Sequence, residues 1–270
     1  MVKSDTIKNL KSARLNPFVM SKAIDYNKWL TEIGKTNRRF KELFVGGTAF
    51  PPIFFFGNPD GSIASTVGVN PSAGEFSPIR RWHGYSEVDR PLQRCKQYFD
   101  TSLGIPPHPW FETWKNFLAK IGLSYRRTPR AVHLDLSPRA TRSMSALQAK
   151  GEDHSALFLD LIKNDLKYFF SQLRSYPKIR YFYAAGSITK KFYMIEFLQR
   201  YAYRYDCVFR PVVPFSRGGQ GQIGLHKLDL KDKFPRYFFF CSTSPSSRSK
   251  TNPIVKKASY WKANHPEFVP

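Results

Sequence analysis

The chain has 270 residues, which is enough to bury the core of one large domain or two small ones. Hydrophobic residues make up 41% of it and aromatic residues 16%, a composition that is typical of a globular protein and excludes a disordered tail. Lys and Arg number 43 against 20 Asp and Glu, and the resulting net charge of +23 indicates a polyanionic partner, nucleic acid before anionic membrane.

The chain lacks the features of a membrane protein or a metalloprotein. No apolar run approaches the roughly 20 residues that span a bilayer, and the first 20 residues lack the apolar block of a signal peptide. The isolated Cys95, Cys207 and Cys241 are too few for a four-thiolate iron–sulfur cluster and lack zinc spacing. We therefore expect a cytoplasmic, DNA-associated monomer without metal, cofactor or membrane contact.

The first part of the chain combines charged residues with scattered apolar ones. Residues 23–44 are predicted to form one or two surface helices, and residues 1–50 a helical extension packed on a domain of residues 51–270. The apolar run 53–56 predicts a strand and a tight turn. A β-branched strand at 63–67 follows and stops at Asn70-Pro71-Ser72.

The remaining chain alternates predicted strands and helices. Further strands are predicted at 131–136, 179–185, 207–213 and 236–241, the third of them at a sheet edge because Pro211 cannot donate a ladder hydrogen bond. Helices are predicted at 109–121, 155–173, 188–201 and 253–263. This order predicts a single-domain three-layer α/β/α sandwich with a central, mostly parallel sheet of four to five strands.

In such sheets the ligand lies beyond the carboxyl ends of the strands. Four polar blocks follow strands here and resemble, in the same order, the motifs of the uracil-DNA glycosylase superfamily. The blocks are Gly68-Val69-Asn70-Pro71, Val132-His133-Leu134-Asp135, Ala185-Gly186-Ser187 and Ser244-Pro245-Ser246. The resemblance spans residues 63 to about 250.

The resemblance implies a catalytic role for Asn70 and Ser244. Asn70 would position the attacking water, as in the branch specific for mismatched thymine or uracil, and Gly68 and Pro71 would fix its turn. Ser244 replaces the family's His or Asn donor, which leaves open how the departing base is stabilised. His83 or His133 could supply that donor, although a structural role suits either histidine.

Two further positions bear on the substrate. Ser72 stands where the strictly uracil-specific branch has a larger Tyr, so the pocket should admit a substituent at C5 of the base. Asp135 stands where that branch has a base-reading Asn, and a carboxylate suits the amino group of cytosine. Alternatively, Asp135 caps the turn at Ser137.

Other substrate contacts are predicted around these positions. Phe76 is expected to stack on the flipped base, with Trp82 and Tyr85 behind it, and a core role is the alternative. Glu75 is expected to help position the water or the sugar unless it is a solvated loop carboxylate. His133 is counted with the substrate-binding residues.

Hydroxyl groups, backbone N–H groups and cations near strand ends are expected to bind DNA phosphates. Gly186-Ser187 is expected to begin the helix predicted from residue 188, and a helix start is a natural phosphate site. The predicted DNA-binding residues are Gly186, Ser187, Ser246, Ser247, Arg248 and Lys250.

The resemblance implies a monofunctional DNA glycosylase that flips a pyrimidine and leaves an abasic site. The favoured substrate is a hydroxymethylated or glucosylated cytosine, as in phage DNA, which implies antiviral defence. Uracil or mismatched thymine, excised in base excision repair, comes next. The alternatives are a metal-dependent nuclease using Asp165-Leu166-Lys167 or Asp229-Leu230-Lys231, and a non-catalytic DNA-binding module.

Overall fold

The structure is a computed structural model, and it describes residues 24–78, 80, 82–83, 91–142, 153–189, 192–217, 222–232, 234–243 and 253–270. The architecture is mixed α/β with a six-stranded, mostly parallel sheet in the order β2-β1-β3-β8-β7-β6 and a separate hairpin of β4 and β5. The strands are β1 (Ser62–Gly68), β2 (Arg130–Asp135), β3 (Tyr181–Ala185), β4 (Ser187–Thr189), β5 (Phe192–Tyr193), β6 (Val208–Val213), β7 (Ile223–Asp229) and β8 (Arg236–Cys241). The helices are α1 (Tyr26–Asn37), α2 (Pro91–Lys96), α3 (Trp110–Lys120), α4 (Ser155–Ser175), α5 (Met194–Tyr201) and α6 (Pro253–Asn264).

The parallel part of the sheet brings four strand ends to one edge. β2, β1, β3 and β8 run parallel to one another, whereas β7 and β6 are antiparallel to their neighbours. Gly68 lies opposite Asp135, and Ala185 lies opposite Cys241. The polar residues that follow these strands therefore start from the same level of the sheet.

The predicted number of strands was too low, because β7 was not predicted. Its sequence places Gly224, His226 and Lys227 among apolar residues, which obscures the strand pattern. Pairing with β8 on one side and β6 on the other makes this segment a strand. Residues 207–213 were predicted correctly, since β6 is the edge strand and contains Pro211.

Two other local predictions were wrong. Residues 53–56 are buried but form no strand: only Phe56 makes an isolated bridge, to His133. The apolar run there reflects burial and not sheet pairing. The helix predicted from residue 188 begins at Met194, because Gly186 turns with φ 88° into the β4–β5 hairpin.

The segment before residue 50 contributes to the core. Ile33 of α1, and Phe40 and Leu43 of the 3-10 turn Arg38–Leu43, are buried in the same hydrophobic cluster as the sheet. The prediction of surface helices was therefore wrong for one face of this segment.

No helix in the described parts of the chain is long and apolar enough to cross a bilayer.

A buried ion pair joins this segment to the domain. The Arg139 guanidinium donates to both carboxylate oxygens of Asp165 in α4, from Nε at 2.9 Å and Nη2 at 3.2 Å. Its other N–H groups donate to three acceptors on α1: the Ile33 carbonyl, Asn37 Oδ1 and Thr36 Oγ1. Both charged side chains are at most 2% exposed.

Asp165→Asn is expected to lower the free energy of unfolding by about 3–5 kcal/mol, because it leaves the buried Arg139 cation without its counter-charge. Urea denaturation measures the change. The exposed pair Lys115–Glu112 supplies the control: Glu112→Gln should change the free energy by less than about 1 kcal/mol. Equal effects of the two substitutions would contradict the assigned role of the buried pair.

Candidate functional site

A pocket of about 280 Å³ lies at the carboxyl edge of the parallel strands. Its lining includes the last residues of β1, β2 and β3, namely Gly68, Asp135 and Ala185. The volume is near the lower end of the roughly 300–1,000 Å³ range of small-molecule sites, which suits a ligand the size of one ring system. Eight predicted site residues line it: Gly68, Asn70, Ser72, Glu75, His133, Asp135, Gly186 and Ser187.

The side-chain amide of Asn70 is held in one orientation. Its nitrogen lies 2.9 Å from the Pro71 carbonyl, 3.1 Å from the Arg139 carbonyl and 2.9 Å from Thr141 Oγ1. Since carbonyl oxygens only accept, the NH₂ group must face them. Asn70 Oδ1 has no hydrogen-bond partner in the described part of the chain, so it remains an acceptor at the pocket.

A buried polar chain runs through the floor of the pocket. Tyr125 OH lies 2.6 Å from Thr66 Oγ1, which lies 2.8 Å from Nδ1 of His133. His133 Nε2 in turn lies 3.2 Å from Oδ1 of Asp135. Burial raises the pKa of Tyr125 well above its ordinary value, so its hydroxyl stays protonated and can donate.

One hydrogen bond of this chain has a fixed direction. A carboxylate only accepts, so Nε2 of His133 donates to Asp135 Oδ1. Either hydroxyl can be the donor between Tyr125 and Thr66, and the direction between Thr66 and Nδ1 follows the tautomer of His133. The Asp135 side chain is only 4% exposed, and its second oxygen, Oδ2, has no partner among the described residues. Asp135 therefore presents one fixed acceptor oxygen to the pocket.

Glycine is required at position 68 by the close approach of this pair. A Cβ atom there would lie 2.2 Å from Asp135 Oδ1 and 2.8 Å from His133 Nε2. Both distances are shorter than van der Waals contact. The glycine is thus needed for the space it leaves beside the carboxylate.

Glu75 is buried, so the alternative of a solvated loop carboxylate is wrong. Tyr98 OH donates to Glu75 Oε2 at 2.9 Å, and it accepts from the backbone N–H of His108 at 3.0 Å. Tyr98 thereby connects the turn after β1 to the segment before α3. His108 lies in the pocket lining and was not predicted as a site residue.

The aromatic wall of the pocket differs from the predicted one. Phe76 does not line the pocket: its ring stacks on Phe50 at 4.2 Å, so the core alternative applies. Phe56, Trp110 and Phe111 line the pocket instead, and their ring centres lie 5.0–5.5 Å from the His133 ring. Trp82, predicted behind Phe76, is fully buried.

The other predicted residues have mixed outcomes. Ser72 is exposed at the pocket, where its hydroxyl also accepts from the Gly74 N–H at 3.1 Å. Asp135 does not cap the turn at Ser137, because the Ser137 N–H donates to the Val69 carbonyl and the Ser137 hydroxyl donates to Asp165. Gly186 and Ser187 line the pocket but do not begin a helix, so the expected phosphate site at a helix N-terminus is wrong.

Several predicted residues lie outside the described part of the chain. They are Tyr85, Ser244, Ser246, Ser247, Arg248 and Lys250.

Trp110, Phe111 and His108 had no strand-end signal in the sequence, whereas Phe56 ended the run predicted as a strand. His108 precedes α3 and enters the site beside its first turn. A search for histidines next to predicted helix starts could have found it.

The acidic residues proposed for a nuclease are engaged elsewhere. Asp165 is fully buried with Arg139, and Asp229 at the end of β7 pairs with Arg210 of β6. Neither residue lines the pocket. Within the described residues, no group of three or more His, Cys, Asp or Glu side chains could hold a metal ion.

Neither a scan against protein-family models nor a search of curated proteins finds a match to this chain.

Gly68→Ala is expected to destabilise the protein by about 1–3 kcal/mol, because the new methyl group displaces Asp135 or His133 from its buried hydrogen bond. Urea denaturation measures the loss. Gly34→Ala is the matched control: this position in α1 has open space, so the change should stabilise the helix by about 0.5–1 kcal/mol. If Gly68→Ala has the same free energy of unfolding as the wild type, the close approach of Asp135 and His133 to position 68 is refuted.

Proposed function

We propose that this protein is a monofunctional DNA glycosylase of the uracil-DNA glycosylase type, which flips a modified pyrimidine out of DNA and hydrolyses its N-glycosidic bond. One observation carries the proposal: residues from three separate blocks, Asn70, Asp135 and Gly186, line the same pocket at the carboxyl edge of the sheet. They are far apart in the chain and meet only through the strand order β2-β1-β3.

The reaction needs an acceptor for a water on one side of the sugar. Asn70 Oδ1, which has no partner among the described residues, can serve as this acceptor, whereas its NH₂ group donates to two backbone carbonyls and to Thr141. The water oxygen forms a bond to C1′ as the C1′–N1 bond breaks, and the bonding electron pair leaves with the base. The water supplies the hydroxyl group to the sugar and a proton to the base, so an abasic site remains without strand cleavage.

The favoured substrate is a cytosine with a substituent at C5, hydroxymethyl or glucosylated, which would give antiviral defence against phages with such DNA. Asp135 Oδ2 can accept from the exocyclic amine of cytosine but cannot donate to a uracil carbonyl. Ser72 is small and exposed at the pocket, which leaves room for the substituent. Uracil or mismatched thymine comes next.

The finer architecture and the partner are part of the same proposal. We propose a three-layer α/β/α sandwich, and one of its helical layers is supported at β8, where Phe117 of α3 and Trp261 of α6 pack on Phe239. The neighbouring Phe240 contacts Tyr193 and Phe215 instead. The net charge of +23 supports DNA as the partner through phosphate contacts.

The test is base release from oligonucleotides carrying uracil, G·T, 5-hydroxymethylcytosine or its glucosylated form, with chelator present. Release of at least one base, with alkali-sensitive abasic sites, is expected. Asn70→Ala should slow release by about 100-fold, since the water loses its acceptor. Thr141→Val, which removes one of the three amide contacts and keeps Oδ1, should slow it far less.

Three outcomes would contradict the proposal. Folded protein that releases none of the four bases, or full activity of Asn70→Ala, refutes a glycosylase using this pocket. Strand cleavage that requires magnesium would favour the nuclease. Salt-sensitive duplex binding without base release would favour the non-catalytic module.

Asp135→Asn provides a separate test of base selection. Its amide can donate to a carbonyl, so the ratio of uracil release to cytosine-derivative release should rise by about tenfold or more. Single-turnover rates on matched oligonucleotides measure this ratio. An unchanged ratio would remove Asp135 from base recognition.

A further inference from the structure

His108 is held at the pocket by contacts to both its backbone and its ring. The backbone N–H donates to Tyr98 OH at 3.0 Å, and ring Nδ1 accepts from the Trp110 N–H at 3.1 Å. The ring is thus fixed before any ligand binds. Its second nitrogen, Nε2, has no partner in the described part of the chain.

The contact to Trp110 determines where the ring proton lies. A backbone N–H can only donate, so Nδ1 must be unprotonated and the proton of the neutral ring is on Nε2. Burial, with the nearby charge of Arg80, lowers the pKa of His108 and so favours the neutral ring at pH 7. His108 therefore offers a fixed N–H donor to the pocket.

Two other side-chain N–H groups at the site are already used. The Asn70 amide donates to three acceptors of the protein, and the His133 Nε2 proton is directed at Asp135. Ser72 and Ser187 can donate through hydroxyls, but both residues are exposed to competing water. Trp110 Nε1 is the remaining rival among the described lining side chains.

A departing pyrimidine carries the electron pair of the broken bond, and its negative charge is spread over N1 and the adjacent carbonyl oxygen. Asn70 Oδ1 and Asp135 Oδ2 accept hydrogen bonds and cannot stabilise this charge. A preorganised donor at such a site is worth about 100- to 1,000-fold in rate.

We infer that His108 is a catalytic residue that donates its Nε2 proton in a hydrogen bond to the departing base, the task that the family's His or Asn donor would perform at the position of Ser244. The inference rests on the proposed glycosylase function. It assigns the donor to the segment before α3, away from the four strand-end blocks.

The test compares His108→Ala, His108→Gln and Trp110→Phe on an oligonucleotide that the wild type cleaves. Single-turnover rates at saturating enzyme report the chemical step. Binding is measured separately on the same sequence with a 2′-fluoro target nucleotide, whose glycosidic bond resists cleavage. His108→Ala should lower the rate by about 100-fold and leave the binding constant within about threefold.

His108→Gln keeps an N–H donor and should recover at least about tenfold of the lost rate. It also replaces the alanine variant if that variant fails to fold. Trp110→Phe keeps the aromatic wall without its N–H group and should lower the rate by less than about tenfold.

The inference is overturned if His108→Ala keeps the wild-type rate, if its rate and binding fall together, or if Trp110→Phe carries the larger rate loss. In each case the wild type still releases base and the proposed function stands. Wild-type protein that releases no base from any of the four substrates overturns both.

Discussion

The buried guanidinium of Arg139 is the contact on which the arrangement of the site depends. Its five N–H groups donate to Asp165 of α4 and to three acceptors on α1. The backbone carbonyl of the same residue accepts from the Asn70 amide. One residue thus holds the N-terminal helix, α4 and the turn of Asn70 in a common geometry. A buried pair of this kind requires all its hydrogen bonds to offset desolvation.

Three polar side chains of the pocket each use one polar atom to hold the site together and leave the other atom for a ligand. The nitrogen of Asn70 stabilises the turn, and one oxygen of Asp135 accepts from His133. The Asn70 oxygen and the second Asp135 oxygen have no partner among the residues that the structure describes. In His108, ring Nδ1 accepts from the Trp110 N–H, and Nε2 remains for a ligand. In each of these three side chains one polar atom is hydrogen-bonded to the protein, and this bond fixes the direction of the other polar atom. A fixed direction favours selective binding of a small polar ring.

Under the proposed function, affinity and selection rest on different properties of the chain. The net charge of +23 attracts any nucleic acid through its phosphates and carries no information about the base. Asp135 and Ser72 would make the choice, since they limit the donors and the size that the pocket accepts. Neighbouring aromatic rings exclude water from His133, which strengthens the polar chain from Tyr125 to Asp135.

Much of this fold and part of this site follow from the sequence alone. The β-branched run before Asn70, the apolar face of α4 and Pro211 in β6 predicted elements correctly, since these patterns act over neighbouring residues. The convergence of Gly68, Asn70, His133 and Asp135 also followed, because parallel strands end at one edge. The tertiary structure alone decided that β7 is a strand, that residues 53–56 are not, and that Phe76 packs on Phe50. It also brought in His108 from the segment before α3. Such contacts join residues distant in the chain, and no local pattern of side chains encodes them.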